Sequence, residues 1–186
     1  NSESDQFMIP RDYSKFVVYF NKDIFDQYNV AYPKTGWSWS DFLETCRQLK
    51  QKMPNGYVCV DASMSYAILN YGMLASCGVE QFIDENYLIA DTSKMEEGLD
   101  MIKSDVLDPG YAVKPEVYKD GDFVRMVAAM SIGVRPAFAT YKNAELNFDV
   151  VEFPAIGNTP KVATGSSGFG IYTDSEVKDL AWEFIS

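Results

Sequence analysis

Unbroken apolar runs alternate along this chain with stretches whose apolar residues recur at helical spacing. Residues 16–20 (Phe-Val-Val-Tyr-Phe) are β-branched and aromatic without alternation, which predicts a strand covered on both faces and ending at Asn21. Lys22 to Tyr28 reads as a short helical turn with Ile24, Phe25 and Tyr28 inward, and residues 33–36 (Pro-Lys-Thr-Gly) are loop chemistry. Ser38 and Asp41 have capping-box spacing, and Trp37 before the cap can staple to Phe42. Phe42, Leu43, Cys46 and Leu49 continue an apolar stripe to about Lys52, where Pro54-Asn-Gly56 stops it. Trp37 and Trp39 are accordingly assigned to fixing the start of this helix rather than to stacking on a ligand.

Further on, residues 57–60 predict a second strand, and a helix from about Ser65 to Cys77 is closed by Gly78. Another helix starts at Asp91 or Thr92, carries Met95, Leu99 and Ile102 on one face, and ends before Asp108-Pro-Gly110. Asp120 or Asp122 is expected to cap a short helix through Val127. Residues 129–134 predict a strand broken by Arg135-Pro136, and strands follow at 148–153 and 168–172. Thr173 and Glu176 have capping-box spacing ahead of a last helix with Val177, Leu180, Ala181 and Phe184 on one face. Residues 1–6 are polar and expected to fray. Strands separated by helical segments imply an α/β fold with a mixed β-sheet flanked by helices. No repeat, low-complexity tract or linker interrupts the pattern.

Charge and composition narrow the chemistry. The chain has 186 residues, 16 Lys+Arg against 27 Asp+Glu, a net charge of −11, and no His. Such an acidic balance argues against nucleic acid and against anionic membranes. Without His, neither a Ser-His-Asp or Cys-His nucleophile system nor a His-ligated zinc site can be built from this chain alone. Cys46, Cys59 and Cys77 lack CxxC spacing and sit among apolar neighbours, where a free thiol acts as a small hydrophobe. The longest apolar runs, such as 126–132, are far short of a membrane span. No initiator Met or signal-peptide core opens the sequence, and the last helical pattern is still running at Ser186, so an excised fragment is expected.

Few motifs survive scrutiny. Gly165-Ser-Ser-Gly-Phe-Gly170 matches neither a phosphate loop nor a nucleophile elbow, and reads as a flexible approach into the following strand. Ser175-Glu-Val-Lys178 has SxxK spacing, but Lys178 falls away from the apolar face and is assigned to solvent. Asp105, Asp108, Asp120 and Asp122 lack EF-hand spacing and read as caps and turn formers. No cofactor is expected. In open α/β domains ligands gather at the carboxyl ends of strands, here 61–66 and 135–138. Tyr66 and Arg135 at those ends offer a flat apolar face and a fixed donor fork, which suit a hydroxyl-rich ligand. A helix-core role for Tyr66 and a surface ion pair for Arg135 stand beside that reading.

Several segments, taken in order, resemble a known family. Pro10-Arg-Asp-Tyr13 followed by Val18-Tyr-Phe-Asn-Lys-Asp-Ile-Phe25 is similar to the "PxD…lyYNKdlF" segment of bacterial extracellular solute-binding proteins of the sugar-binding type. The Tyr-Pro…Trp-Ser-Trp-Ser-Asp-Phe stretch from Tyr32 to Phe42 resembles the helix start that follows it. Phe148-Asp-Val-Val-Glu-Phe-Pro154 resembles the strand near the second crossover, and Ala181-Trp-Glu-Phe-Ile185 resembles its "AweFi" helix.

The resemblance implies one lobe of a periplasmic-binding-protein-like (class II) fold, with residues 1–15 as a crossover from the missing first lobe. Residues 16–160 would form the second lobe, and 161–186 the return crossover and the start of a helix belonging toward the first. It further implies an extracytoplasmic receptor, periplasmic or lipid-anchored, that closes around a small-molecule solute such as a sugar or oligosaccharide and serves the membrane subunits of an ABC importer. Carried over by position, the binding candidates are Arg11, Asp12, Ser63, Tyr66, Asn70, Arg135, Ser166 and Ser167. Arg135-Pro136 stands where the family often offers an aromatic. The competing reading is a carbohydrate-active hydrolase using a carboxylate pair such as Asp12 with Asp61. A third is a lobe whose acidic face meets a protein partner.

Overall fold

The computed structural model describes residues 8–61, 74–79, 92–112, 121–157, 161–162 and 164–186. Most of the helix expected over 65–77 lies outside the described residues, as do Asp91 and Asp120. The chain divides into two compact units, Phe16–Ala163 and a smaller one of Asn1–Lys15 with Thr164–Ser186.

In the larger unit, β2 (Val17–Asn21), β3 (Val58–Val60), β4 (Ala128–Gly133) and β5 (Phe148–Glu152) form one sheet in the order β3-β4-β2-β5. The pairs β2–β4 and β2–β5 are antiparallel and β3–β4 is parallel, so the sheet is mixed. The lack of alternation in β2 has a direct cause. Val18 and Phe20 enter one buried cluster with Ile24, Phe25, Phe42 and Leu49, while Tyr19 between them enters a second with Phe123, Ala128 and Tyr141. A strand covered on both faces has no polar side to show. Full burial of each large side chain here contributes about 1.5–3 kcal/mol.

Helix α1 (Lys22–Gln27) follows β2 at once, its first turn capped by the Asn21 side chain, which accepts from the Ile24 N–H at 3.1 Å. Helix α2 (Trp39–Lys52) has the expected capping box: the Ser38 hydroxyl accepts from the Asp41 N–H at 3.2 Å, and the Asp41 carboxylate accepts from the Ser38 N–H at 2.8 Å. The Trp37 and Phe42 rings meet edge-on at 5.7 Å, completing the staple. The indole N–H of Trp37 donates to the carbonyl of Glu152 at 2.8 Å, and the Trp39 N–H donates to the carbonyl of Ala155 at 2.8 Å. Both tryptophans therefore tie the helix start to the chain leaving β5, as structural anchors.

Several expectations need correction. Helix α4 (Thr92–Ile102) turns Gly98 inward and leaves Leu99 47% exposed. A Cβ on Gly98 would lie 2.5 Å from the Leu74 side chain of α3 (Leu74–Ser76), so close approach has selected the smallest residue for the inner face. Past α4 the chain widens into a π-helical turn, Lys103–Leu107, where the Asp105 carboxylate accepts from the Trp39 indole at 3.0 Å. Asp122 caps no helix. Residues 121–126 are turns, and its backbone carbonyl accepts from Val127 and Ala128 instead. Arg135-Pro136 does not begin a loop but opens α5 (Arg135–Asn143), where a proline in the first turn lacks only an N–H that has no partner there.

The remaining corrections concern the smaller unit. There β1 (Ile9–Lys15) pairs antiparallel with β6 (Thr164–Phe169), so Gly165 to Phe169 is itself strand rather than an approach to one. Gly168 is required by contact: a Cβ there would sit 2.7 Å from the Ile9 carbonyl oxygen. Helix α6 (Lys178–Ile185) starts without a side-chain cap at Val177. Thr173 and Glu176 form no capping box; the Ser175 hydroxyl accepts from the Val177 N–H at 3.3 Å. Leu180 and Phe184 of α6 are 64% and 85% exposed, and no α6 residue is buried. Among the described residues, no helix is long and apolar enough to cross a membrane.

Candidate functional site

Adjacent residues of a regular strand point to opposite faces, so Arg11 and Asp12 should diverge. A β-bulge prevents it. Pro10 is opposite Gly168 and Asp12 is opposite Ser167, leaving Arg11 as the extra residue of β1. The bulge turns both side chains toward Ser167. Arg11 donates to the Asp12 carboxylate through Nε at 2.9 Å and Nη2 at 2.6 Å, and to the Ser167 hydroxyl at 3.2 Å. Ser167 in turn donates to Asp12 through its hydroxyl and, at 3.3 Å, its backbone N–H.

These bonds favour the ionised carboxylate. Ser167 first, and then Arg11, hold Asp12 below the usual aspartate range. A carboxylate so held is a poor proton donor near neutral pH but a ready acceptor of hydroxyl hydrogens. The Arg11 guanidinium also lies over the Phe169 ring, 5.9 Å from its centroid. The cluster is exposed, and it joins a donor fork, an acceptor and a flat apolar face on one short ribbon.

The eight sequence candidates are placed unevenly. Arg11, Asp12 and Ser167 meet in the ribbon. Ser166 lies opposite Tyr13 and, by strand alternation, on the other face from Ser167. Arg135 is exposed at the first residue of α5. Ser63, Tyr66 and Asn70 lie outside the described residues. Phe169 is absent from these eight because the sequence predicts a strand over 168–172 that leaves out Ser167; with β6 in register, its spacing of two from Ser167 puts both on one face.

The larger unit has its own hollow where the parallel strands β3 and β4 end. It encloses about 260 Å³ and is lined by Asp61, Asp122, Phe123, Ser131, Thr140 and Tyr141 among others. Ser131 and Tyr141 share a buried hydrogen bond of 2.8 Å. Burial, above all, pushes the Tyr141 phenol up to about 12, and Asp122 is ion-paired with Arg125. Tyr19 donates to the Val134 carbonyl at 3.1 Å, tying the chain between β4 and α5 to the sheet. This is the strand-end position at which open α/β sheets take ligands. Among the described residues, no group of three or more Cys, Asp or Glu is placed to hold a metal ion.

The family model of the bacterial extracellular solute-binding protein matches residues 2–186. No curated protein matches the chain. Among solved structures, an ABC substrate-binding protein from Listeria monocytogenes in complex with cycloalternan superposes with a TM-score of 0.80 at 23% identity, covering 100% of this chain and 48% of that one. UgpB from Mycobacterium tuberculosis in complex with glycerophosphocholine gives 0.78 at 19% identity, with 100% and 48% coverage. The Thermus thermophilus maltotriose binding protein bound with maltotriose gives 0.69 at 19% identity, with 96% and 48% coverage. The fold is thus that of periplasmic binding proteins, and the chain spans about half the length of these structures. With the family model matched from residue 2 to the last residue, the chain belongs to the bacterial extracellular solute-binding proteins, a family of extracytoplasmic location.

Proposed function

We propose that this chain is one lobe, with its crossover strands, of a binding protein that delivers a carbohydrate to an ABC importer. The observation that carries the reading is the family match over residues 2–186 on a chain half as long as the similar solved proteins. In this reading residues 1–15 and 161–186 are crossovers, 16–160 form the second lobe, and the first lobe lies elsewhere in the full-length protein. The exposed apolar side chains of α6 support it, since they form a surface that a sister lobe would cover. The protein binds and does not transform its ligand. Contacts from both lobes stabilise the closed state over the open one, and the importer's membrane subunits respond to closure.

Arg11, Asp12 and Ser167, with Ser63, Tyr66, Asn70, Arg135 and Ser166, are the ligand-facing candidates. An ionised Asp12 accepts from sugar hydroxyls while Arg11 donates to ring and hydroxyl oxygens. Cycloalternan and maltotriose in two similar structures favour a saccharide. The protein stands free in the periplasm or is held by a lipid at the outer face of the membrane.

Calorimetry on the full-length protein with maltotriose, cycloalternan and glycerophosphocholine tests this. Saturable binding of a saccharide that weakens in Arg11→Ala and Asp12→Asn, with the sugar recovered unchanged, is the expected result. Turnover of the sugar, or preference for glycerophosphocholine over every saccharide tried, would overturn it. The 186-residue chain alone should bind the same sugar weakly or not at all.

A further inference from the structure

The inward stripe of α2 places Cys46 directly above β3, whose central residue is Cys59. Both side chains are completely buried. The Cys59 thiol donates to the backbone carbonyl of Cys46 at 3.1 Å, so its sulfur rests against the residue on the other element. The third cysteine is elsewhere: Cys77 is partly exposed and faces Gly98 of α4. A core needing only two small apolar side chains could use Ala or Val. Both are free thiols in the structure, and the contact brings the sulfur of one against the backbone of the other across the junction of helix and strand.

We propose that Cys46 and Cys59 are joined by a disulfide in the mature protein, formed as α2 docks on β3 during folding. The proposal rests on the extracytoplasmic location of the family, where disulfides form and persist. It also rests on the short chain between the two residues, which reverses at residues 54–56 and lets the bond close a small loop.

The oxidant is a disulfide, carried by an oxidoreductase in the cell envelope or supplied as oxidised glutathione. One protein thiolate attacks a sulfur of that disulfide, giving a mixed disulfide and releasing the first thiol. The second protein thiolate then attacks the protein sulfur and displaces the other. Two electrons pass from the protein's sulfurs to the oxidant, and the two protons lost from the cysteines end on its two thiols.

Timing follows from burial. In the folded, reduced protein the Cys46 thiol is raised well above its ordinary value, by burial first and then by the adjacent Cys59. The thiolate that exchange needs is therefore scarce, and the oxidant has no path to it. Exchange must be complete before docking seals the pair from solvent. Reduced protein, once folded, should resist oxidation, and protein folded under oxidising conditions should resist reduction until it is unfolded.

The test is refolding of the denatured, reduced full-length protein in a buffer of reduced and oxidised glutathione. Acid quenching, alkylation with N-ethylmaleimide in denaturant and peptide mass mapping without reduction follow. The expected outcome is alkylation of Cys77 alone among these three, a peptide pair linked through Cys46 and Cys59, and a melting temperature several degrees above that of protein refolded under reduction. Cys77→Ser should leave neither remaining thiol reactive, which removes any dependence on the third cysteine. Alkylation at Cys46 and Cys59, or a bridge to Cys77, overturns the proposal. Protein recovered from the cell envelope of its host should carry the same link. A bond that forms with glutathione but is missing there overturns the assignment to the mature protein while leaving saccharide binding, measured separately, intact.

Discussion

Asp12 accepts both hydrogens that Ser167 has to offer, one from the hydroxyl and one from the backbone N–H at 3.3 Å. Register makes this pair, since the two residues face each other across the bulge in β1. The Ser167 hydroxyl is also the largest influence holding Asp12 below its ordinary value. Ser167→Ala should therefore raise the Asp12 titration midpoint, measured from its carboxyl carbon by NMR, and raise it more than Ser166→Ala does. An equal effect of the two serines would show that strand alternation does not separate them.

The same bonds give the ribbon a pH dependence of defined sign. A carboxyl group titrating lower in the folded than in the unfolded chain contributes stability above its unfolded pKa. That contribution fades as pH falls below the ordinary aspartate value and is gone once pH passes below the depressed one. Hydrogen exchange within β1 and β6 should accelerate over that acid window, and Asp12→Asn should flatten the response. An unchanged response in Asp12→Asn would assign it to another group.

At alkaline pH the sign reverses. Tyr141 is pushed up to about 12 because burial disfavours its phenolate, so the neutral form stabilises the fold below pH 10. That contribution is lost as pH rises toward 12. Tyr141→Phe should reduce the alkaline loss of stability, followed by the melting temperature between pH 9 and 12. A curve superimposable on that of the parent protein would count against a buried phenol there.

The start of α2 is expected to respond in two steps of different size. Ser38→Ala removes one half of the capping box and should lower unfolding free energy by about 1 kcal/mol in urea titrations. Phe42→Ala empties a fully buried site beneath Trp37 and Trp39 and should cost about 3–5 kcal/mol. Equal losses would mean that the staple, rather than the core, dominates at Phe42.

Gly168→Ala brings a methyl group within 2.7 Å of the Ile9 carbonyl oxygen, and backbone cannot yield as a side chain can. The substitution should speed hydrogen exchange in β1 and β6 and leave β2–β5 unaffected. Loss of protection throughout the sheet would contradict the division into two units.

Where structure was decided locally, the sequence was readable. Ser38, Asp41, Trp37 and Phe42 lie within five residues of one another, and the cap and staple they form are present as read. The uninterrupted apolar run of β2 announced a strand buried on both faces. Failures came where a distant partner decided the outcome. Gly165, Ser166, Ser167 and Gly168 have little strand propensity, and they are extended because β1, far away in the chain, supplies their hydrogen bonds. Apolar spacing found Ile102 on the inner face of α4 but misplaced Leu99, because the position beside it that turns inward is Gly98, close to Leu74. For the candidate site, Arg11, Asp12 and Ser167 were legible individually. Their convergence was not, because a bulge leaves no mark in a single sequence.

The two strands of the ribbon flank the whole of the larger unit in the chain, and this fixes the sequence of events when the protein forms. Bringing together ends so far apart is slow while the intervening polypeptide is loose and much easier once it has condensed. The contacts of Arg11, Asp12 and Ser167 should therefore be among the last acquired. Any substitution that loosens the sheet will also release the clasp, although it touches none of the clasp's own side chains.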